Sequence, residues 1–167
     1  ERITMRMHNV AINNADFTRL NVKEIIDKEE YYNQMQSVVN LNIEMGNVRE
    51  DNSWITGVFA YYPEKDVQLV SSNRNNYNKD IIEHIKTLMN DSEISTLRKW
   101  EVASISNSDV IISVSKYKNA YYGAWFDVRQ LVNILDLNSG LLDNSIIAFT
   151  NMSDDVVYSN VKDIEKS

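Results

Sequence analysis

The chain has 167 residues, a formal net charge of −7 and a hydrophobic content of 43%. This length is enough for one domain with its own core, and the hydrophobic content argues against disorder. The absence of Cys excludes disulfides, thiol catalysis and Cys-based metal sites, and the acidic balance argues against nucleic acid as a partner.

The first 46 residues are predicted to be helical, because apolar residues recur at three- and four-residue steps. The main stripe consists of Val22, Ile25, Ile26, Tyr32, Met35, Val39 and Ile43. A thinner stripe before it consists of Ile3, Met7, Val10 and Phe17. The thinner stripe either pairs with a copy of itself as a two-helix seam or packs on its own domain. We interpret Asn13 and Asn14 as a break, Asp16 as the N-cap of the second part, and Gly46 with Asn47 as the stop.

Beyond residue 46 the predicted elements are hairpins and short helices. They are, in chain order, strands 54–62 and 67–71, helix 78–90, strand 100–106, two strands that meet at Lys118 and Asn119, helix 129–135, and a hairpin of strands 145–150 and 156–159. Hairpin connections imply an antiparallel sheet. A sheet with one face on a long helix and the other under short helices and loops is an α+β architecture.

The strand after Lys118 has one plainly apolar side and one mixed side. The apolar side consists of Tyr122, Ala124, Phe126 and Val128, which is the composition of a packed core. The mixed side consists of Tyr121, Gly123, Trp125 and Asp127. Two rings, a bare Gly and a carboxylate are unusual on a simple packed face. We therefore predict that a ligand binds on the mixed side.

Catalytic chemistry is not indicated by any pattern in the sequence. The two histidines, His8 and His84, lie on separate predicted helices with no matched carboxylate, and we interpret His84 as a solvated surface residue beside Glu83 and Lys86. The sequence has no serine elbow, no phosphate-binding Gly loop and no HExxH-type spacing. We therefore predict no enzymatic activity, no cofactor and no metal for this chain.

Three segments resemble the extracytoplasmic Cache (PAS-like) sensor domains of bacterial membrane histidine kinases, chemoreceptors and related regulators. They are WITGVFAYYPEKDVQLVSSN, KYKNAYYGAWFDVRQLVNIL and IIAFTNMSDDVVYSN. The resemblance implies a PAS-like antiparallel sheet of about five strands, with the long N-terminal helix on one face and short helices over the other. Residues 1–167 would be one sensor domain: a helical segment 1–46, a PAS-like core 54–128, and an extra hairpin 144–160 that belongs to this module or opens a truncated second one.

The resemblance also implies a function. The domain would lie on the extracytoplasmic side of a bacterial cell membrane, as part of a longer, membrane-anchored two-component histidine kinase, and the start at Glu1 fits such a fragment. A small ligand would bind the sheet face opposite the long helix, and the signal would pass through the membrane helices. The alternatives are a ligand-free interaction or dimerisation module, with a homodimer through the N-terminal helix, and the sensor of a chemoreceptor or another anchored regulator. A front filled by the chain's own side chains would favour the ligand-free alternative.

Seven residues are the candidate ligand contacts. They are Tyr61, Arg98, Trp100, Tyr117, Tyr121, Trp125 and Asp127. Part of the family binds amino acids, and the resemblance implies that Arg98 would grip the ligand carboxylate while Trp100 and Asp127 receive its ammonium group. Glu93 and Glu101 depart from that family pattern.

Each candidate also has a structural explanation. Trp100 and Trp125 would serve as core anchors, and the tyrosines would bury their rings and keep their hydroxyls in water. Asp127 would cap the helix that begins near Arg129, and Arg98 would pair with a surface carboxylate. Both explanations remain open at the level of the sequence.

Overall fold

The computed structural model describes residues 2–73, 78–89, 100–139, 148–150 and 156–159. The elements in these ranges are α1 (Arg2–Asn13), α2 (Ala15–Val22), α3 (Lys28–Glu50), β1 (Gly57–Tyr62), β2 (Val67–Ser72), α4 (Asn78–Leu88), β3 (Trp100–Ile105), β4 (Ser108–Tyr117), β5 (Ala120–Asp127), α5 (Val128–Ser139), β6 (Ala148–Thr150) and β7 (Val156–Ser159). A single 3-10 turn, Pro63–Lys65, joins β1 to β2.

Strands β1 to β5 form one antiparallel sheet in the order β2-β1-β5-β4-β3. The predicted α+β class, with a five-stranded antiparallel sheet consistent with a PAS-like fold, is confirmed. Strands β6 and β7 form the predicted separate hairpin, and β7 lies beside β3. The first strand begins at Gly57 rather than at residue 54, and the helix predicted over 78–90 ends at Leu88. In the turn between β4 and β5, Lys118 has a positive φ of 54°.

The sheet has a back face, which packs against α1, α2 and α3, and a front face, which α4 covers. The core on the back face is built around Phe17, whose ring centroid lies 5.3 Å from that of Tyr62 and 5.9 Å from that of Tyr122. The thinner stripe predicted for the first helix lies in this core: Ile3, Met7, Val10 and Phe17 are all buried. This stripe therefore packs on its own domain.

The N-terminal segment consists of three helices, one more than the two parts that the sequence predicts. The predicted break lies at Asn14, which is also the N-cap of α2, since its Oδ1 accepts hydrogen bonds from the backbone N–H groups of Asp16 (2.9 Å) and Phe17 (3.0 Å). Asp16, the predicted cap, instead accepts a hydrogen bond of 2.8 Å from Ser37 Oγ. Asn14 is suited to the cap because its side chain reaches the second and third backbone N–H groups of the helix.

The predicted stop at Gly46 is wrong, because α3 continues to Glu50. Val48, two residues later, is fully buried against the sheet. Its burial contributes on the order of 2 kcal/mol, which exceeds the cost of about 1 kcal/mol for a Gly inside a helix. Asp27 caps the start of α3 by accepting a hydrogen bond of 2.8 Å from the Glu30 N–H.

The buried side of α3 is partly polar, and its apolar stripe faces outward. The buried residues are Glu30, Gln34, Ser37, Leu41, Met45 and Val48. The outward residues include Tyr32, Met35, Val39 and Ile43 of the predicted stripe, which are between 49% and 65% exposed. The first half of α3 therefore packs on the domain through its polar side, which the apolar periodicity of the sequence does not predict.

Contacts with α2 and the segment after it satisfy most of the polar groups on this buried side, although Gln34 Oε1 has no hydrogen-bond partner among the described residues. Arg19 donates from Nε and Nη2 to the two carboxylate oxygens of Glu30, at 3.1 and 3.2 Å. Gln34 Nε2 donates to Glu30 Oε1 and to the Lys23 carbonyl, both at 3.0 Å. These donors, Arg19 first, lower the pKa of Glu30 to about 2. Buried polar groups with such partners lose little on leaving water, so this side can pack inward.

Candidate functional site

The front face is formed by alternate residues of the strands and covered by α4. One row across the sheet places Glu101, Ile112, Trp125, Gly57 and Ser72 side by side. The side of α4 that meets the sheet carries three isoleucines: Ile81, Ile82 and Ile85, all buried. The spacing of three and four residues places all three on one side of a short helix. The predicted mixed side of β5 therefore lies beneath α4.

Trp125 is the largest fully buried side chain of the front face. Its ring centroid lies 6.3 Å from that of Phe59, with an angle of 36° between the planes. The ring extends over Gly57 on the neighbouring strand, where an added Cβ would overlap it. Gly57 thus makes the space that the indole fills. A Gly inside a strand is a sequence signal for such a close approach, so the position of the ring could have been inferred from this residue.

Gly123, two residues before Trp125 on β5 and opposite Phe59, has a comparable role. An added Cβ would overlap the Ser113 carbonyl of β4 and lie 2.9 Å from the ring of Phe59. The bare Gly on the predicted mixed side therefore lets β5 approach its neighbours closely. It does not open a hollow above the described part of the sheet.

The indole nitrogen of Trp125 is buried and has no hydrogen-bond partner among the described residues. An indole Nε1–H is a donor only, so it needs an acceptor. Leaving a buried donor without a hydrogen-bond partner costs about 1–3 kcal/mol. Most buried donors in folded proteins are paired, and an exception of this kind indicates an unoccupied partner position or a functional role.

Three polar contacts hold α4 over the front face. Asp80 Oδ2 accepts a short hydrogen bond from Ser106 Oγ in the turn after β3. Lys86 Nζ lies 6.0 Å from the ring centroid of Tyr61. His84 Nε2 lies 3.8 Å from Glu101 Oε1 of β3, so protonated His84 forms an ion pair there.

The prediction that His84 is a solvated surface residue without a matched carboxylate is wrong. Its side chain is only 23% exposed, Glu101 is the nearby carboxylate, and the buried Nε2 has no hydrogen-bond partner among the described residues. On α4 Glu83 is exposed, whereas His84 and Lys86 are half-buried at the border of the side that meets the sheet. The partner is supplied by a strand far away in the sequence, so the local pattern gives no signal of it.

Asp127 caps a helix, which is the structural explanation considered for it. Its Oδ1 accepts hydrogen bonds from the backbone N–H groups of Arg129 (2.8 Å) and Gln130 (3.4 Å) at the start of α5. Its own N–H donates to Thr56 Oγ1 at 2.8 Å, and this hydroxyl donates to Gln130 Oε1 at 3.1 Å. Asp127 is 2% exposed as a residue, and its side chain caps α5 where β5 ends.

The seven candidate contacts do not form one group. Tyr61, Tyr121 and Trp125 belong to the front-face core and are at most 5% exposed. Trp100 and Tyr117 pack on the back face, where Trp100 lies 5.6 Å from the ring centroid of Phe126. Arg98 lies outside the described residues. Because the sheet separates the two faces, a ligand on the front would contact the first three and neither Trp100 nor Tyr117.

The described residues give few other signals of a site. Within them, no three His, Asp or Glu side chains converge on a point where a metal ion could sit. Among the described helices, none has the length and the apolar composition that a membrane span requires. No protein-family model and no curated protein matches the chain.

Proposed function

We propose that this chain is the extracytoplasmic sensor domain of a bacterial membrane-anchored signalling protein, with a two-component histidine kinase as the parent. The fold supports the proposal, since a five-stranded antiparallel sheet carries the N-terminal helices on one face and a short helix on the other. Of the three segments that resemble Cache domains, the first contains the β1–β2 hairpin of this sheet and the second contains strand β5 with the end of β4, while the third contains the separate β6–β7 hairpin. In this proposal a signal reaches the membrane through the N-terminal helices.

The input of this sensor is a small molecule that accepts a hydrogen bond from Trp125. The single observation that carries this part is the buried indole nitrogen with no partner among the described residues. The suitable ligand class is a small molecule with a carboxylate, carbonyl or phosphate oxygen, because the nitrogen is a donor only. Phe59 supplies the neighbouring aromatic surface, and Tyr61 and Tyr121 lie on the same face, four residues further along their strands.

Such a ligand reaches Trp125 only when α4 moves off the sheet. The front-face side chains are buried, and α4 is an eleven-residue helix held by three isoleucines and a few polar contacts. A ligand that favours the displaced position of α4 would shift the balance between two arrangements of the domain. This difference between the arrangements is what a sensor has to transmit.

The test is a thermal-shift screen of the purified chain against amino acids, dicarboxylic acids, sugars and sugar phosphates. A ligand at a hundred times its Kd stabilises the folded chain by about 2.7 kcal/mol, which raises the Tm of a chain of this size by about 5–10 °C. The matched variants are Trp125→Phe, which keeps an aromatic ring but removes the donor, and Trp100→Phe on the back face. We expect Trp125→Phe to raise the Kd of the ligand at least about tenfold, since one lost hydrogen bond corresponds to about 1.4 kcal/mol.

Trp100→Phe should leave ligand affinity unchanged. A ligand that binds both variants equally would place the site away from Trp125. A complete screen without any stabilising compound would instead favour the second candidate, a ligand-free interaction module. One observation already favours that candidate: Trp125 packs against Phe59 and fills the space over Gly57, so the described front is occupied by the chain's own side chains.

A further inference from the structure

A groove lies on the surface of the helical layer, between α1 and α3. Its volume is about 340 Å³, at the lower end of the range for small-molecule sites. The polar side chains that line it are Arg6, Asn9 and Asn13 of α1 and Glu44 of α3, and the apolar ones include Val10 and Val48. The two valines belong to the buried core. The groove therefore combines a polar lining with a well-packed apolar base.

The groove has one charge of each sign, and the two charges lie towards opposite ends. Arg6 Nη1, near the start of α1, donates to Asp51 Oδ2 at 2.8 Å, just after the end of α3. Asp16, after α1, instead accepts from Ser37, nearer the start of α3, so α1 and α3 run in opposite directions. Glu44 precedes Asp51 by seven residues, which is about 10 Å along the helix. Because helical side chains tilt towards the N-terminus of their own helix, Arg6 and Glu44 lean away from each other.

The polar groups of the groove retain unused bonding capacity. Glu44 is half-buried, and its carboxylate forms no ion pair or hydrogen bond within the described part of the chain. Asn9 and Asn13 are exposed, and each offers a carbonyl acceptor and an NH₂ donor. The ion pair of Arg6 with Asp51 joins side chains that are 35% and 64% exposed. An ion pair this exposed is weak, and the guanidinium has further N–H groups for a second acceptor.

These groups define the chemistry of a suitable ligand. One guanidinium and one carboxylate match a molecule with one charge of each sign, because its carboxylate suits Arg6 and its ammonium suits Glu44. The amides of Asn9 and Asn13 match the C=O and N–H groups of a peptide backbone, whereas an alkyl chain would leave them without partners. An extended peptide covers about 3.3–3.6 Å per residue, so that three residues span about 10 Å.

We propose that this groove binds a short zwitterionic peptide of about three residues. Its N-terminal ammonium lies at Glu44, its C-terminal carboxylate lies at Arg6, and its backbone crosses Asn9 and Asn13. Helices α1 and α3 pack on the back face of the sheet, so the groove is on the opposite side from Trp125. Peptide binding here does not depend on a ligand at the front face, and the failure of either proposal leaves the other intact.

The first experiment is isothermal titration calorimetry of the full 167-residue chain with triglycine as the probe. Three related compounds test the parts of the probe. N-acetyl-triglycine lacks the ammonium group, triglycine amide lacks the carboxylate, and ω-aminooctanoate has both charges and the same number of main-chain atoms but no peptide bond. We expect a Kd of about 1 mM or below for triglycine, and values at least about tenfold higher for the other three. The proposal is overturned if the Kd of triglycine exceeds about 10 mM.

The second experiment repeats the titrations with Glu44→Gln and Arg6→Gln. Each should raise the Kd of triglycine at least about tenfold. Glu29→Gln, the same change as Glu44→Gln at an exposed position near the start of α3, is the control and should leave this Kd unchanged. Acetylation of the probe should cost nothing further in Glu44→Gln, and amidation should cost nothing further in Arg6→Gln, because the partner of the blocked group is already absent.

Glu44→Gln keeps the size of the side chain and breaks no bond within the described residues, so its circular dichroism spectrum and Tm should not change. Should a charge variant fold poorly, Asn9→Ala tests the same groove at an exposed position. It should raise the Kd of triglycine at least about threefold and leave that of ω-aminooctanoate unchanged. Variants that bind triglycine as tightly as the control, or blocking penalties that persist in both charge variants, would place the peptide elsewhere and overturn the proposal.

Discussion

Helices α1 and α3 both have an apolar stripe, but the two stripes have opposite fates. The stripe of α1 lies in the core, where Ile3 and Met7 are fully buried. The stripe of α3 faces outward, and the helix buries Glu30, Gln34 and Ser37 in its first half instead. Periodicity identifies an apolar side of a helix. It does not identify what that side packs against.

The difference follows from the partners that α2 supplies. The guanidinium of Arg19 binds Glu30, and Asp16 accepts from Ser37, so the polar side of α3 finds its hydrogen bonds inside the domain. Later in the same helix Leu41, Met45 and Val48 provide the apolar anchor against the sheet. The apolar stripe on the opposite side of α3 is then left exposed. Three sets of variants test this comparison between α1 and α3.

The largest expected effect compares one residue type on the two helices. Met7→Ala in α1 should destabilise the fold by about 2–5 kcal/mol, because Met7 is fully buried and its loss leaves a cavity. Met35→Ala in α3 should change the stability by at most about 0.5 kcal/mol, because Met35 is 49% exposed. The midpoint of urea denaturation, measured at low protein concentration, gives both changes. Equal losses for the two variants would show that the outward side of α3 is buried within one chain.

A smaller effect is expected where α1 ends and α2 begins. Asn14→Ala should cost about 0.5–2 kcal/mol, because the N–H groups of Asp16 and Phe17 lose their acceptor. Asn14→Ser, which retains a capping oxygen, should recover most of that loss, and Asn13→Ala is the neighbouring control. The measurement is the midpoint of urea denaturation. If Asn13→Ala costs more than Asn14→Ala, the cap is assigned to the wrong residue.

The smallest expected effect depends on pH and tests the contact between α2 and α3. The pKa of Glu30 is lowered from 4.5 to about 2, chiefly by the hydrogen bond from Arg19. A carboxylate whose pKa is lowered by folding stabilises the fold at pH values above its unfolded-state pKa. This stabilisation is lost as the pH falls towards and through its folded-state pKa. The unmodified chain should therefore exceed Glu30→Gln in stability above pH 4.5, and the difference should disappear between pH 4.5 and about 2.

Glu29→Gln, on the exposed neighbouring residue, is the control for that pH series. Denaturation by urea at several pH values gives the stability difference for each variant. A difference for Glu30→Gln that stays constant across this pH range would mean that Arg19 does not hold the carboxylate in solution. The comparison of α1 with α3 would then lose its explanation, although the burial of α1 would be unaffected.

Much of the fold could be predicted, because local patterns specify it. Alternation and turn residues predicted the hairpins, and hairpins require antiparallel pairing. The candidate site was predicted less well. Asp127 caps α5, Trp100 and Tyr117 lie on the back face, and the carboxylate beside His84 comes from Glu101 on another strand. Each of these depends on which distant residue lies opposite, and a local pattern contains no such information.

Side-chain periodicity and turn chemistry act over a few residues, so the α+β class, the antiparallel hairpins and the apolar stripes of the N-terminal helices can be predicted from the sequence. Which stripe is buried, which face α4 covers and how the indole of Trp125 fills the space above Gly57 are known only from the folded chain. These outcomes are set by packing between segments that are far apart in the chain, where the partner of each side chain decides whether its burial is favourable.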